Sequence, residues 1–169
     1  MIAIKTHNIH SDEWYTDRET VEKALRLFPC KPTDTIMLPF DTDQSEFVKV
    51  LKERGYKIIY NITDFLTSDY TYDYLITNPP FSIKDKVLEK CVKSGKPSTL
   101  ILPIESLGGV KRHELYKGTN LKVYIPTRRI NYYDEDGQKR KGSSFHSIIL
   151  QVNADTTSII YEYQEKEKP

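Results

Sequence analysis

The chain has 169 residues, 38% of them hydrophobic, and a formal net charge of +1. It is long enough to bury a core of its own, and no global field draws it to a polyanion, so any attraction to nucleic acid must be local. Two cysteines, Cys30 and Cys91, lie far apart and the four histidines form no cluster with them, which argues against a zinc site or a disulfide framework. No apolar run approaches the roughly 18 residues of a membrane span, and no secretory signal pattern opens the sequence. The expectation is a single cytoplasmic domain over residues 1–169, with no metal and no membrane partner.

Residues 1–12 are polar and read as an irregular arm. Thr16 or Asp17 offers an N-cap for a helix reaching Phe28, with Val21, Ala24, Leu25 and Phe28 at helical spacing. Pro29 and Pro32 break it. Residues 35–40 read as a short buried strand and 45–54 as a helix with Phe47, Val48 and Leu51 inward, ended by Gly55. Strands are predicted over 57–60 and 72–77, then a helix over 84–93 with Val87, Leu88 and Cys91 on one face. A strand at 98–103, a helix at 105–116 and a strand at 121–125 follow. Strands at 147–152 and 158–163, and a tail at 164–169, complete the chain.

Strands alternating with helices imply right-handed βαβ units and a mainly parallel sheet covered by helices on both faces. The last strands follow one another without helices, which implies antiparallel pairing toward the C-terminal end. Ligands in such sheets collect beyond the carboxyl ends of the strands, at the point where strand order reverses. Phe40-Asp41, Asn61 and Asn78-Pro79-Pro80-Phe81 each follow a strand, so all three should share one rim.

Asn78-Pro79-Pro80-Phe81 carries the most specific chemistry. Neither proline has a backbone N–H, so their carbonyls are expected to face outward without competing donors. Asn78 adds a side-chain oxygen and Phe81 a flat apolar face. An amino group on an aromatic base fits between two such acceptors while its ring stacks on Phe81. Two acceptors pulling on the amine protons favour a more tetrahedral nitrogen that can attack an electrophile, which is stabilisation by prearranged dipoles. The alternative is a plain surface turn, since Asn-Pro and Pro-Pro are turn formers.

Other candidates are weaker. In the glycine-free turn Pro39-Phe40-Asp41-Thr42-Asp43-Gln44-Ser45, Asp41 or Asp43 can accept from an ammonium or a ribose hydroxyl, or the turn can simply cap a helix with Ser45. Asn61 can bond a ribose hydroxyl, and Asp64 with Phe65 can flank an adenine ring or serve as cap and core. Trp14-Tyr15-Thr16 suits a lid over a flat or methionine-like ligand, or a hydrophobic anchor for the arm. The loop 127–146 holds Arg128, Arg129, Lys139, Arg140 and Lys141 around an acidic tip. With Tyr132-Tyr133 between its basic sides it can track a phosphate backbone, or be a solvated hairpin. His146 has no nucleophile near it in sequence and is not taken as a base.

Together these strings resemble the phage- and prophage-borne DNA adenine N6-methyltransferases. The matching segments are Glu13-Trp14-Tyr15-Thr16, Leu38-Pro39-Phe40-Asp41, Thr77-Asn78-Pro79-Pro80-Phe81-Ser82, Leu102-Pro103-Ile104-Glu105-Ser106-Leu107, Arg128-Arg129-Ile130-Asn131 and Gly142-Ser143-Ser144-Phe145-His146-Ser147, in the expected order. The resemblance implies a single-domain α/β, Rossmann-like methyltransferase fold with a seven-stranded sheet and an antiparallel C-terminal strand. It also implies S-adenosylmethionine as methyl donor, flipped adenine in DNA as acceptor, and a bacterial host cell as the setting. It carries Asn78, Pro79, Pro80 and Phe81 over as catalytic residues, and Trp14, Tyr15, Phe40, Asp41 and Asn61 as cofactor contacts. Two features depart from the family: Thr42-Asp43-Gln44 replace a glycine-rich turn, and at 169 residues no separate target-recognition domain is expected, so sequence reading would fall to the basic loop or to a partner. Acceptors in RNA or a protein amide, or an inactive nucleic-acid-binding relative, are the alternatives.

Overall fold

A computed structural model describes residues 15–134, 136–139 and 145–162; Trp14, Arg140, Lys141, the arm 1–12 and the tail 164–169 lie outside them. In chain order the elements are β1 (Tyr15–Thr16), α1 (Arg18–Leu27), β2 (Thr35–Met37), α2 (Glu46–Glu53), β3 (Lys57–Ile59), β4 (Tyr74–Thr77) and a 3-10 turn (Phe81–Ile83). They continue with α3 (Lys84–Ser94), β5 (Ser98–Pro103), a second 3-10 turn (Ile104–Leu107), α4 (Val110–Tyr116), β6 (Leu121–Ile125), β7 (Tyr132–Tyr133), β8 (Ser147–Val152) and β9 (Ser158–Tyr161).

Local chemistry sets most of these limits. Asp17 accepts the Thr20 backbone N–H at 2.8 Å and starts α1. Gly95, at φ 68°, ends α3 in the left-handed conformation that glycine takes without strain. The helix predicted over 105–116 is divided. Gly109 has φ 106°, which cannot continue a right-handed helix, so a 3-10 turn ends there and α4 restarts behind it.

The main sheet has seven strands in the order β3-β2-β4-β5-β8-β6-β9. β2 pairs in parallel with β3 and β4, β4 with β5, and β6 with β9. β8 runs against both β5 and β6. The antiparallel strand expected at the C-terminal end is therefore β8, and the last strand, β9, is parallel to β6. Asn120 explains the placement: its Nδ2 donates to the Ala154 and Asp155 carbonyls at 3.2 and 3.1 Å, drawing the β8–β9 connection across the start of β6. β9 then emerges on the outer side of β6 and does not return beside β8. β1 and β7, a separate two-stranded ribbon, were not predicted.

Period-two alternation divides the core between the two faces. Ile36, Leu38, Tyr74, Ile76, Ile101 and Ile149 pack against α1 and α2, through Val21, Leu25, Phe28, Phe47, Val48 and Leu51. Met37, Leu75, Leu100, Leu102, Ile148 and Leu150 pack on the other face against Val87, Leu88 and Cys91 of α3. Each fully buried aliphatic or Phe side chain contributes roughly 1.5–3 kcal/mol. Among the described residues no helix is long and apolar enough to cross a membrane.

One polar cluster interrupts this core. The Tyr74 hydroxyl donates to the Phe28 carbonyl at 2.8 Å and lies 2.5 Å from Thr99 Oγ1, which also accepts from Gln151 Nε2 at 3.2 Å. It ties the end of α1 to three strands. Tyr74→Phe should destabilise the protein by about 1–3 kcal/mol, because it strands a buried carbonyl and hydroxyl. Urea denaturation measures this, and an unchanged midpoint would show that the cluster is idle.

Candidate active site

The sheet reverses at β2. The chain leaves β2 through α2 for β3 on one side, then returns to β4 on the other. The two connections diverge and leave a crevice beyond the carboxyl ends of β2 and β4. Residues 38–45, Asn61 and 78–81 meet on this rim, as their strands require. Because β8 is reversed, its beginning joins them: Ser147 pairs with Pro103, and the Ile104 N–H donates to the His146 carbonyl at 2.8 Å. The loop after β6 leaves the same edge.

The turn after β2 closes without glycine and without strain. None of its residues has a positive φ, and the Ser45 N–H donates to the Thr42 carbonyl at 2.9 Å. The left-handed residue of the neighbourhood is Asn61, at φ 56°, a conformation asparagine tolerates; its N–H donates to the Asp41 carbonyl at 3.1 Å. Asn61 thus supports the turn from β3. Asp43 points outward, its carboxylate accepting from Tyr60 Oη at 2.7 Å and Lys52 Nζ at 3.1 Å. The Tyr60 hydrogen bond, with Lys52 behind it, holds that carboxyl below the usual range.

Asp41 is different. Ser45 stands at the N-cap position of α2, but its hydroxyl donates to Asp41 Oδ1 at 2.5 Å and makes no cap hydrogen bond. Asp41 Oδ2 is enclosed and has no hydrogen-bond partner among the described residues. Burial pushes the carboxyl up to about 6, against the Ser45 hydrogen bond, which pulls it down. A buried acceptor lacking a donor fits a ligand bearing N–H or O–H groups.

The loop after β4 keeps part of its expected form. Asn78 and Pro80 are half-buried and Pro79 is buried. The Pro80 carbonyl is not left to a ligand: it accepts the Ile83 N–H at 3.2 Å as the 3-10 turn forms. This singles out the Pro79 carbonyl as the loop's candidate backbone acceptor. Phe81 is 47% exposed, but its ring stacks on Phe145, with centroids 5.3 Å apart and planes 21° from parallel. The Lys84 ammonium lies 4.2 Å from the Phe81 centroid. A base between the two rings needs about 7 Å between their planes, so Phe145 must move for a sandwich to form.

Three predicted contacts have other partners. Asp64, expected beside an adenine ring, caps its own turn: its carboxylate accepts from Ser68 Oγ at 2.7 Å and from the Tyr70 hydroxyl. Phe65 is buried and meets Phe40 edge-on at 5.8 Å. Thr16 is buried, and its Oγ1 accepts from Asn78 Nδ2 at 3.4 Å. Tyr15 pairs with Tyr133 across the ribbon, and Thr16 with Tyr132. The hydroxyl of Tyr132 is 2.6 Å from Ser147 Oγ, which joins the ribbon to the head of β8.

Of the basic loop, Arg128, Arg129 and Lys139 are exposed. Lys139 bridges Tyr133, and Asp134 turns its carboxylate inward onto the Asp136 and Gln138 N–H groups at 3.0 and 2.9 Å. The acidic tip therefore spends one charge on closing the hairpin. His146 Nε2 lies 2.7 Å from the Pro126 carbonyl and fastens the loop's two ends. A hollow of about 440 Å³ near Tyr72 and Lys96 lies at the opposite edge, where β4 and β5 begin. Its Lys90 is committed to the Phe65 and Ser68 carbonyls, so it is a structural clamp.

No protein-family model matches the chain, and no curated protein matches it in sequence. In structure it is similar to the 23S rRNA methyltransferase ErmE, with TM-score 0.51 and 11% identity over 83% of this chain and 69% of that one. It is similar to a type I restriction enzyme modification subunit from Vibrio vulnificus YJ016, with TM-score 0.50 and 11% identity over 95% of this chain and 49% of that one. A dimethyladenosine transferase from Plasmodium falciparum matches at TM-score 0.49 and 13% identity, over 83% of this chain and 62% of that one. The chain spans about half of the Vibrio subunit and less than two thirds of the Plasmodium protein. At these identities the likeness establishes the fold, which is the Rossmann-like fold of methyltransferases.

The Asp41 carboxyl predicts a pH signature. Below its ordinary value of 3.8 the group is protonated in both folded and unfolded chains. Between there and about 6 only the unfolded chain releases the proton, so stability falls with rising pH and levels off above. The unfolding free energy of the wild type minus that of Asp41→Asn should therefore drop by on the order of 3 kcal/mol across this window. Denaturation at a series of pH values tests it; a flat difference would show a solvated carboxyl.

Proposed function

We propose that this protein transfers a methyl group from S-adenosylmethionine to the exocyclic N6 amine of adenine in DNA. The observation that carries the proposal is the position of Asn78-Pro79-Pro80-Phe81 at the carboxyl end of β4, across the crevice from the enclosed Asp41. Asn78 Oδ1 and the Pro79 carbonyl would accept from the amine and draw its lone pair out of conjugation with the ring. Phe81 would carry the base on its face. The amine needs no strong general base, since its proton can leave to water after attack.

The donor supplies an electrophilic methyl group. Asp41 would hold its ammonium or a ribose hydroxyl through Oδ2, which has no partner among the described residues, and Phe40, Tyr15 and Asn61 would border it. An incoming donor at Oδ2 favours the ionised carboxylate, so cofactor binding should release a proton near pH 6. Arg128, Arg129 and Lys139, continued by Arg140 and Lys141 in the sequence, would track the phosphate backbone. The acceptor in DNA rests on the sequence strings. RNA is the second reading, favoured by the likeness to a 23S rRNA methyltransferase.

Labelled methyl incorporation into DNA, RNA and protein, measured side by side, decides between acceptors. Incorporation into DNA that Asn78→Ala reduces by about 10²–10³-fold, with an unchanged melting temperature, is the expected result. Near-normal turnover by that variant would remove the mechanism. Calorimetric titration with S-adenosylmethionine separates an enzyme from an inactive relative: micromolar binding supports the first, and no heat at high concentration the second.

A further inference from the structure

Thr16 lies on a two-residue strand that exists only because Tyr15 and Thr16 pair with Tyr133 and Tyr132. Both sides of this ribbon are anchored. Asp17, the next residue, caps α1 through the Thr20 N–H at 2.8 Å, and Tyr132 reaches Ser147 at the head of β8 at 2.6 Å. Thr16 itself is 6% exposed, and its hydroxyl sits 3.4 Å from Asn78 Nδ2. The backbone that carries that hydroxyl is therefore held from α1 on one side and from β8 on the other.

An asparagine amide has one accepting and one donating end, and its terminal torsion is broad. A catalytic acceptor therefore needs something that restrains its rotation. We propose that Thr16 is a positioning residue for Asn78: it accepts the amide N–H and so holds Oδ1 turned away from β1. The inference rests on the reading of Asn78 as an amine acceptor, and it takes Thr16 out of the set of cofactor contacts. Because β7 belongs to the basic loop, the nucleic-acid-facing hairpin and the Asn78 amide share one support.

The test compares Thr16→Val, which keeps the shape and removes the hydroxyl, with Thr16→Ser, which keeps the hydroxyl. Three quantities are read on the full chain: kcat and KM on an adenine-containing duplex, calorimetric affinity for S-adenosylmethionine, and the side-chain amide NMR signal of Asn78, identified by its loss in Asn78→Ala. The valine variant should shift that signal and lower kcat by on the order of tenfold to a hundredfold, with KM and cofactor affinity unchanged. The serine variant should restore both signal and turnover. Weakened cofactor binding with an unmoved Asn78 signal would overturn the proposal in favour of a cofactor contact. An unmoved signal with full turnover would overturn it outright. Should the wild type transfer no methyl group to any nucleic acid, the amide signal still decides the role of Thr16, and only the reading of the reaction fails. If Thr16→Val does not fold, Thr16→Ala makes the same comparison.

Discussion

The site depends on one pairing: β2 hydrogen-bonds to β3 on one edge and to β4 on the other, with Ile36 opposite Tyr74 and Met37 opposite Leu75. Parallel strands must be joined by crossovers, so the two connections leaving β2 and β4 have to part. That parting opens the crevice and fixes which turns border it. Everything proposed for Asp41 and Asn78 assumes this register. A slip of one residue would turn Leu75 and Thr77 to the wrong face and scatter both halves of the core.

The turn after β2 shows how a missing glycine can be tolerated. A glycine-rich turn lets a ligand approach the backbone closely. Here the backbone stays in ordinary φ space, and the left-handed position passes to Asn61, just after the neighbouring strand β3. The chemical consequence falls on Asp41. Its carboxyl is enclosed, Ser45 satisfies one oxygen, and the other has no partner among the described residues. An unsatisfied buried carboxylate is expensive, and functional sites are where such groups concentrate.

Much of what surrounds Asn78 comes from far away in the chain. Phe145 covers Phe81, Thr16 meets the Asn78 amide, and Ser147 holds the ribbon through Tyr132. The first two contacts span more than sixty residues and the third spans fifteen, and none carries a local signal. The reversal of β8 is what delivers Phe145 and Ser147 to the rim, since a parallel strand at that place would have started at the opposite edge. The only sequence trace of Phe145 was its place in a string just before a strand.

The pattern of apolar residues was enough to reveal the alternation of strands and helices and the extents of β5, β6 and β8, because burial imposes a period that local sequence must obey. It also showed that Asn78-Pro79-Pro80-Phe81 ends a strand, which put the loop on the rim where ligands collect in sheets of this kind. Where helices carry special backbone needs the signal was present but misjudged: Gly108-Gly109 divides a helix read as continuous. Tertiary structure alone decided the sheet order, the outer place of β9, the β1–β7 ribbon, the partner of Thr16 and the ring stacked on Phe81. Those depend on which distant groups arrive within hydrogen-bonding or stacking distance, and that is set by chain closure in three dimensions and not by any residue's neighbours in sequence.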